Sequence, residues 1–411
     1  MIVRGGMVVT ARGVEQADIA IASDRITAVG TNVGEEGEEI DATGLHVFPG
    51  GIDSHVHFNE PGRTEWEDIA HGTAALLEGG YTAFIDMPLN NLPVTTTVPA
   101  FDQKLAAMRR SSTLDFGIWG GLVPGNLNQL APLDDRGVMG FKAFMCPSGI
   151  DEFPESDLWT LSEGAKRIAE LDSILLVHAE DPRFLAEPAG PTAADFIDSR
   201  PPTAELYAIG TAIEIAEKEG CRLHIVHVST EEGARMIEAA RGRDVDVTGE
   251  TCPHYLLYTI EDMARIGGIA KCAPPFRTTR MSMLPMVVSD HSPSTLELKQ
   301  GDDLRKIWGG ISGCQSTRQL LLAQDGLDLP TIAAVTSTNI AKRFRISSKG
   351  EIAPGYDADL WLVDLDHEDV VRREDLLYKN PFSAHEGRRI RGQTVRTIHG
   401  SPKFIRPGVR S

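Results

Sequence analysis

The sequence predicts an α/β protein: a (β/α)8 TIM barrel with a small β-sandwich domain built from both chain ends. Three observations carry this. From about Leu45 to Phe344, short apolar runs recur with helical stretches between them, the pattern of βα units around a parallel sheet. There are eight such runs in about three hundred residues, which favours a closed barrel over an open doubly wound sheet. The two ends instead alternate β-branched runs with turns, as antiparallel strands do.

In chain order, the N-terminal part of the sandwich covers residues 1–48, with strands at Ile2-Val3, Met7 to Thr10, Ile19 to Ile21 and Ile26 to Val29 before Gly30. Residues 49–348 form the barrel. Its eight runs are Val47 to His57, Thr82 to Asp86, Phe116 to Leu122, Gly140 to Phe144, Ile174 to His178, Leu223 to His227, Val245 to Thr251 and Met286 to Asp290. Thr64-x-x-Glu67 and Ser229-x-x-Glu232 fit capping boxes at helix starts, and Gly79-Gly80 and Gly220 sit where helices end. One link is short. Between Pro275 and Met286 only Phe276 to Pro285 remain for a returning helix, so the barrel is irregular there or a segment is absent from the sequence, and the second is expected. Residues 349–411 complete the sandwich with Asp359 to Asp364 and Thr394 to Ile398.

Composition narrows the function. The 411 residues carry 40 Lys and Arg against 59 Asp and Glu, a net charge of −19 that repels phosphate backbones and anionic membranes. Nucleic acid and membrane are therefore excluded as partners. No apolar run is long enough for a membrane span, and MIVRGGMVVTARGVEQ lacks the segments of a signal peptide, so a cytoplasmic location is expected. Cys146, Cys221, Cys252, Cys272 and Cys314 are odd in number and never spaced C-x-x-C, which supports neither a disulfide framework nor a zinc finger. They read as small buried apolar residues.

The chemistry-bearing residues fall at strand ends. His55 and His57 are two apart on a strand and face the same side, as core histidines or as a metal grip. His178, His227 and Asp290 close the fifth, sixth and eighth runs, and the C-terminal rim of the strands is where such barrels place active sites. Four histidines and a carboxylate converging there suit zinc, nickel, cobalt or manganese. Lys142 lies in the apolar run Gly140 to Phe144, where an ammonium is costly to bury. It is either snorkelling or ion-paired, or a neutral amine able to add carbon dioxide as a carbamate. Cys252 and His254 are read as structural, and Gly309 to Gly313 follows no strand in a dinucleotide-binding context.

The set His55-x-His57, Lys142, His178, His227 and Asp290 resembles the binuclear cyclic amidohydrolases, which include dihydroorotases, hydantoinases, dihydropyrimidinases and allantoinases. Gly44 to Asp53 and Lys349 to Asp359 are also similar to that family, so the resemblance runs along essentially the whole chain. Within it, His57 to Glu67, Asp86 to Asn90, Trp119 to Pro124, Gly140 to Met145, Glu250 to Tyr255 and Trp308 to Gln315 are similar to the allantoinase branch.

The resemblance implies hydrolysis of the hydantoin ring amide of (S)-allantoin to allantoate. It implies two divalent metal ions, zinc first and cobalt, nickel or manganese otherwise. His55, His57 and Asp290 hold the buried ion, His178 and His227 the exposed one, and a carbamate on Lys142 bridges them, with a hydroxide between the ions as nucleophile. Asp290 is also the catalytic base. Dihydroorotases resembling this chain place an arginine two residues after the second histidine. Here Asn59 stands there, an uncharged amide suited to a neutral ureide, although Arg63 is near enough to restore a charge. Asn59 therefore either binds substrate or merely shapes a loop, and by similarity the backbone at Ala273 and Gly309 hydrogen-bonds the ring amide. The alternatives are a hydantoinase, dihydropyrimidinase or dihydroorotase-type enzyme, or an inactive scaffold homologue. All six ligands are present, which disfavours the scaffold. A homotetramer is implied by family resemblance alone.

Overall fold

The computed structural model describes residues 1–34, 37–281 and 284–407. The barrel begins with Gly51–Val56, followed by Tyr81–Asp86; every residue of both strands is buried, as expected where one face meets the barrel interior and the other meets helices. Parallel pairing continues through Asp115–Ile118, its extension Gly120–Gly121, Phe141–Phe144, Ile174–His178, Arg222–Ile225 and Val247–Gly249. The eighth run forms isolated parallel bridges in place of a continuous strand. Val287 pairs with Thr251 and His291 with Val56, which closes the ring.

The helices between strands start where short polar side chains cap free N–H groups, one residue or more away from the sequence expectation. Ile69–Glu78 is capped by Asp68, whose carboxylate accepts from His71 N, and not by Thr64. Glu231–Arg241 is capped by Thr230, which accepts from Gly233 N, and not by Ser229. Ser229 instead donates its N–H and hydroxyl to Glu205. Gly79 and Gly220 do end helices, Gly220 in the left-handed conformation. Among the described residues, the crossover from the seventh strand holds only Pro253–Leu257, Ile260–Ile266 and a 3-10 turn, Gly267–Ala270. No returning helix occurs between Phe276 and Pro285 among the described residues; Ser282 and Met283 of that link lie outside them.

The two ends of the chain form one seven-stranded sheet in the order Arg389–Ile398, Leu360–Val370, His46–Pro49, Ile2–Thr10, Gly13–Ala22, Arg25–Gly30, with Glu39–Asp41 paired to Ile2–Thr10. It is mixed, not purely antiparallel as the end runs suggest: Ile2–Thr10 runs parallel to Glu39–Asp41 and His46–Pro49. Alternation gives the sheet two apolar faces. Val8, Val47, Leu360 and Leu362 pack in its own core, while Val9, Phe48, Trp361 and Val363 pack on Val287, Leu321 and Ile332 of the barrel. Arg318, wholly buried, lies over Trp361 at 4.2 Å and donates to the carbonyls of Gly80 and Pro49, tying sheet to barrel. Lys349 does the same electrostatically, with Asp115 of the barrel at 2.6 Å and Asp359 of the sheet domain at 2.5 Å.

Candidate metal centre

The barrel register sets the site. Lys142 pairs with Leu176 and Phe144 with His178, so Lys142 and His178 present their side chains on the same face of adjacent strands. His57 follows the last residue of Gly51–Val56, and His227 stands two residues beyond Arg222–Ile225. His227 and Asp290 have positive φ, 38° and 46°, a conformation that non-glycine residues adopt at a cost.

All six sequence-predicted ligands line one cavity of about 400 Å3. Asp290 Oδ1 is 3.2 Å from His55 Nε2 and 3.3 Å from His57 Nε2, and the three residues form a group able to hold a metal ion. His178 Nδ1 lies 3.0 Å from His227 Nε2. Lys142 is wholly buried, its Nζ has no hydrogen-bond partner among the described residues, and it sits 4.9 Å from the Phe144 ring. The donor set fits two divalent ions: neutral imidazoles, a carboxylate and a buried amine without a partner.

The charge states agree with that use. Burial pulls Lys142 down to about 7, and it lowers His55, His178 and His227, favouring the neutral rings a metal requires. Burial alone would raise Asp290, but the surrounding His55, His57 and His227 rings hold it well below the usual carboxylate range.

Two carboxylates orient the histidines. Glu250 Oε1 is 2.6 Å from His55 Nδ1, leaving Nε2 to face Asp290. Glu180 Oε2 is 2.8 Å from His178 Nε2, leaving Nδ1 to face His227, and Arg200 grips Glu180 in turn. Sequence reasoning missed both glutamates as site residues, although Glu180 is two residues after His178 and Glu250 opens a motif already singled out. His254 was read as structural; its ring is buried, has no hydrogen-bond partner among the described residues, is pulled down to about 4 by burial, and forms a possible metal-holding group with Cys252 and Asp290. All five cysteines are free and buried.

Of the predicted substrate residues, Ala273 and Gly309 line the cavity. Asn59 does not: its amide is buried with both polar atoms unpartnered among the described residues, and Leu89 and Asn90 form part of the cavity wall instead. Arg63 is also outside the lining, stacked 5.0 Å over Trp66. Arg200, Lys271 and Ser292 contribute lining that the sequence did not single out, as do Cys272 and Trp308, named there only as a buried cysteine and as part of a motif.

Comparison with known proteins places the chain among amidohydrolases. The Amidohydrolase family matches residues 46–392. The chain is 50% identical to a Rubrobacter xylanophilus protein named allantoinase, covering 97% of this chain and 92% of that one. It is 48% identical to one of the same name from Solibacter usitatus, with the same coverage. The first alignment spans 420 positions but draws on 97% of 411 residues, so about twenty positions stand opposite no residue here. Among solved structures, the L-hydantoinase (dihydropyrimidinase) of Arthrobacter aurescens superposes with a TM-score of 0.94 at 28% identity, over 98% of this chain and 99% of that one. No helix among the described residues is long and apolar enough to cross a membrane.

Proposed function

The chain belongs to the amidohydrolase family, and from that premise we propose that it is a cyclic-amide hydrolase that opens the hydantoin ring of allantoin to give allantoate. The observation that carries this reading is Lys142: a buried amine without a hydrogen-bond partner, in a cavity it shares with four histidines and Asp290. Relatives that are about half identical over nearly their whole length bear the allantoinase name.

His55, His57 and Asp290 would hold one divalent ion and His178 and His227 the other, and Lys142, its neutral amine adding carbon dioxide with loss of a proton to become a carbamate, would supply the remaining anionic oxygens. Zinc is the expected ion, with cobalt, nickel or manganese as substitutes. When bound, such ions lower the pKa of water towards about 7 and polarise a carbonyl oxygen. The chain's own residues do the rest. Asp290, an ionised carboxylate, accepts the proton of the attacking water and returns it to the ring nitrogen as the C–N bond breaks. Backbone groups at Ala273 and Gly309 hold the ring amide. Arg200 brings no free positive charge, because Glu180 is paired with it, which suits a neutral ureide. The same reading makes the enzyme a cytoplasmic homo-oligomer.

Assay of the metal-loaded protein against allantoin, dihydroorotate, 5-substituted hydantoins and dihydropyrimidines tests this. Two ions per chain and a preference for allantoin are expected. The structural likeness to a hydantoinase supplies the second reading; a preference for simple hydantoins or dihydropyrimidines would overturn the substrate and leave the chemistry.

A further inference from the structure

Two segments form the cavity wall that faces the ligands from outside the barrel strands. One, Gly267 to Ala273, follows the short helices of the seventh crossover; the other, Leu296 to Gly310, follows the eighth run. Neither belongs to a strand, so the strand ladder does not fix them. Two lysines do. Lys299 is buried, and its Nζ donates to the carbonyls of Gly268 at 3.3 Å and Lys271 at 3.2 Å on the first segment, and of Trp308 at 2.9 Å on the second. Lys271 reaches the other way, donating from Nζ to Leu304 and Ile307 carbonyls, both at 2.6 Å. The Gly310 N–H then donates to the Lys271 carbonyl at 2.8 Å.

These ammonium groups bind main-chain oxygens. No salt bridge to a carboxylate is formed by either lysine among the described residues; burial comes first for both and pulls Lys299 down to about 7 and Lys271 down to about 8, with the Cys272 thiol and the Lys271 side chain also acting on Lys299. Protonated, a lysine inserted among carbonyls is a stronger donor than a neutral one, and in either form it is costly to lose once buried. The fit is close. A Cβ on Gly268 would stand 2.5 Å from the Lys299 carbonyl oxygen, and Gly310, at φ +134°, occupies backbone space that other residues rarely enter.

Geometry links the staple to substrate. A trans peptide is planar, with its C=O and N–H pointing in opposite directions. Drawing the Trp308 oxygen toward Lys299 therefore aims the Gly309 N–H away from Lys299, and drawing the Lys271 oxygen does the same for Cys272. Gly309, Cys272 and Ala273 all line the cavity.

We propose that Lys299 and Lys271 are positioning residues for substrate: they hold the two cavity-wall segments in register, so that the main chain at Ala273 and Gly309 meets the ring amide. This deepens the proposed function and rests on it for the identity of the ring. The ligand set is carried by the barrel, so the staple governs substrate binding and not the chemical step.

The test uses the full-length, metal-loaded protein with Lys299→Met and Lys271→Met. Loss of these charge-assisted bonds is expected to raise the KM for allantoin by about tenfold or more. The kcat should stay within about threefold, and metal content should equal that of the unsubstituted protein. Hydrogen exchange should quicken at Gly310 and over 304–310, while Ile174–His178 stays protected. An unchanged KM in both variants overturns the proposal, as does a fall in kcat or metal content at constant KM. If Lys299→Met loses protection in the barrel strands as well, Lys271→Met, at a half-buried position, decides by the same measurements. If the unsubstituted protein opens none of the cyclic amides, the proposed function falls; exchange then decides the staple, and unchanged rates over 304–310 overturn it.

Discussion

His55 Nε2 and Asp290 Oδ1 lie 3.2 Å apart, so the first strand and the last run of the barrel meet at one carboxylate oxygen. His57 Nε2 reaches the same oxygen at 3.3 Å. Asp290 therefore stands at the closure of the barrel, and it is the side chain proposed both to accept the proton and to hold a metal ion.

Asp290→Asn should lower kcat for allantoin by at least about a hundredfold, the usual range for loss of a general base, while KM changes only a few-fold. Steady-state kinetics at matched metal content check this; a rise in KM at unchanged kcat would place the base elsewhere.

Lys142→Ala should lose metal and activity together, because the methyl group leaves nothing to reach either ion. Short-chain carboxylic acids added to the variant should restore part of both. Elemental analysis with and without propionate reads the outcome, and full activity without additive would refute the carbamate.

Glu180→Gln and Glu250→Gln should each weaken metal binding by about ten- to a hundredfold, since a histidine ligand is oriented through the hydrogen bond on its other nitrogen. Competition with a chelator measures this directly. Glu180→Gln also frees Arg200 at the cavity wall, which should shift its preference toward carboxylate-bearing cyclic amides such as dihydroorotate.

Lys349→Met should destabilise the fold by about 3–5 kcal/mol, because Asp115, Asp357 and Asp359, all buried, lose their shared cation. Chemical denaturation reads the loss.

His385 supplies an acid-sensitive contribution. Burial pulls it down to about 3, against about 6.5 unfolded. Between those values the unfolded chain binds a proton that the folded one refuses, so this stability is complete above about 6.5 and falls with pH by about 1.4 kcal/mol per unit. His385→Phe should flatten the slope of stability between pH 6 and pH 4 by about that amount.

Much of the barrel was legible because its signal is local: apolar runs bounded by polar strand ends, repeated eight times. That the six candidate ligands would share one cavity was legible because each of these strand ends carries a histidine, an aspartate or, within the fourth run, a lysine. The caps were misplaced because Ser229 and Thr230, or Thr64 and Asp68, are equally able to cap; both hydroxyls of the first pair donate to Glu205, and only the backbone path sets Thr230 to accept from Gly233 N. Glu180 and Glu250 were passed over because a lone carboxylate says nothing until a histidine nitrogen is found beside it.

The sequence by itself determined the repeat and the types and spacing of the candidate ligands. Those are properties of residues and spacing. Only the tertiary structure decided which atoms meet: that Asp290 faces two histidines, that Arg63 lies on Trp66 outside the cavity, and that Lys271 and Lys299 staple its wall. Lys299 and the Gly268 carbonyl are 31 residues apart in the chain, and no periodicity encodes a hydrogen bond to a main-chain oxygen that only packing brings within reach.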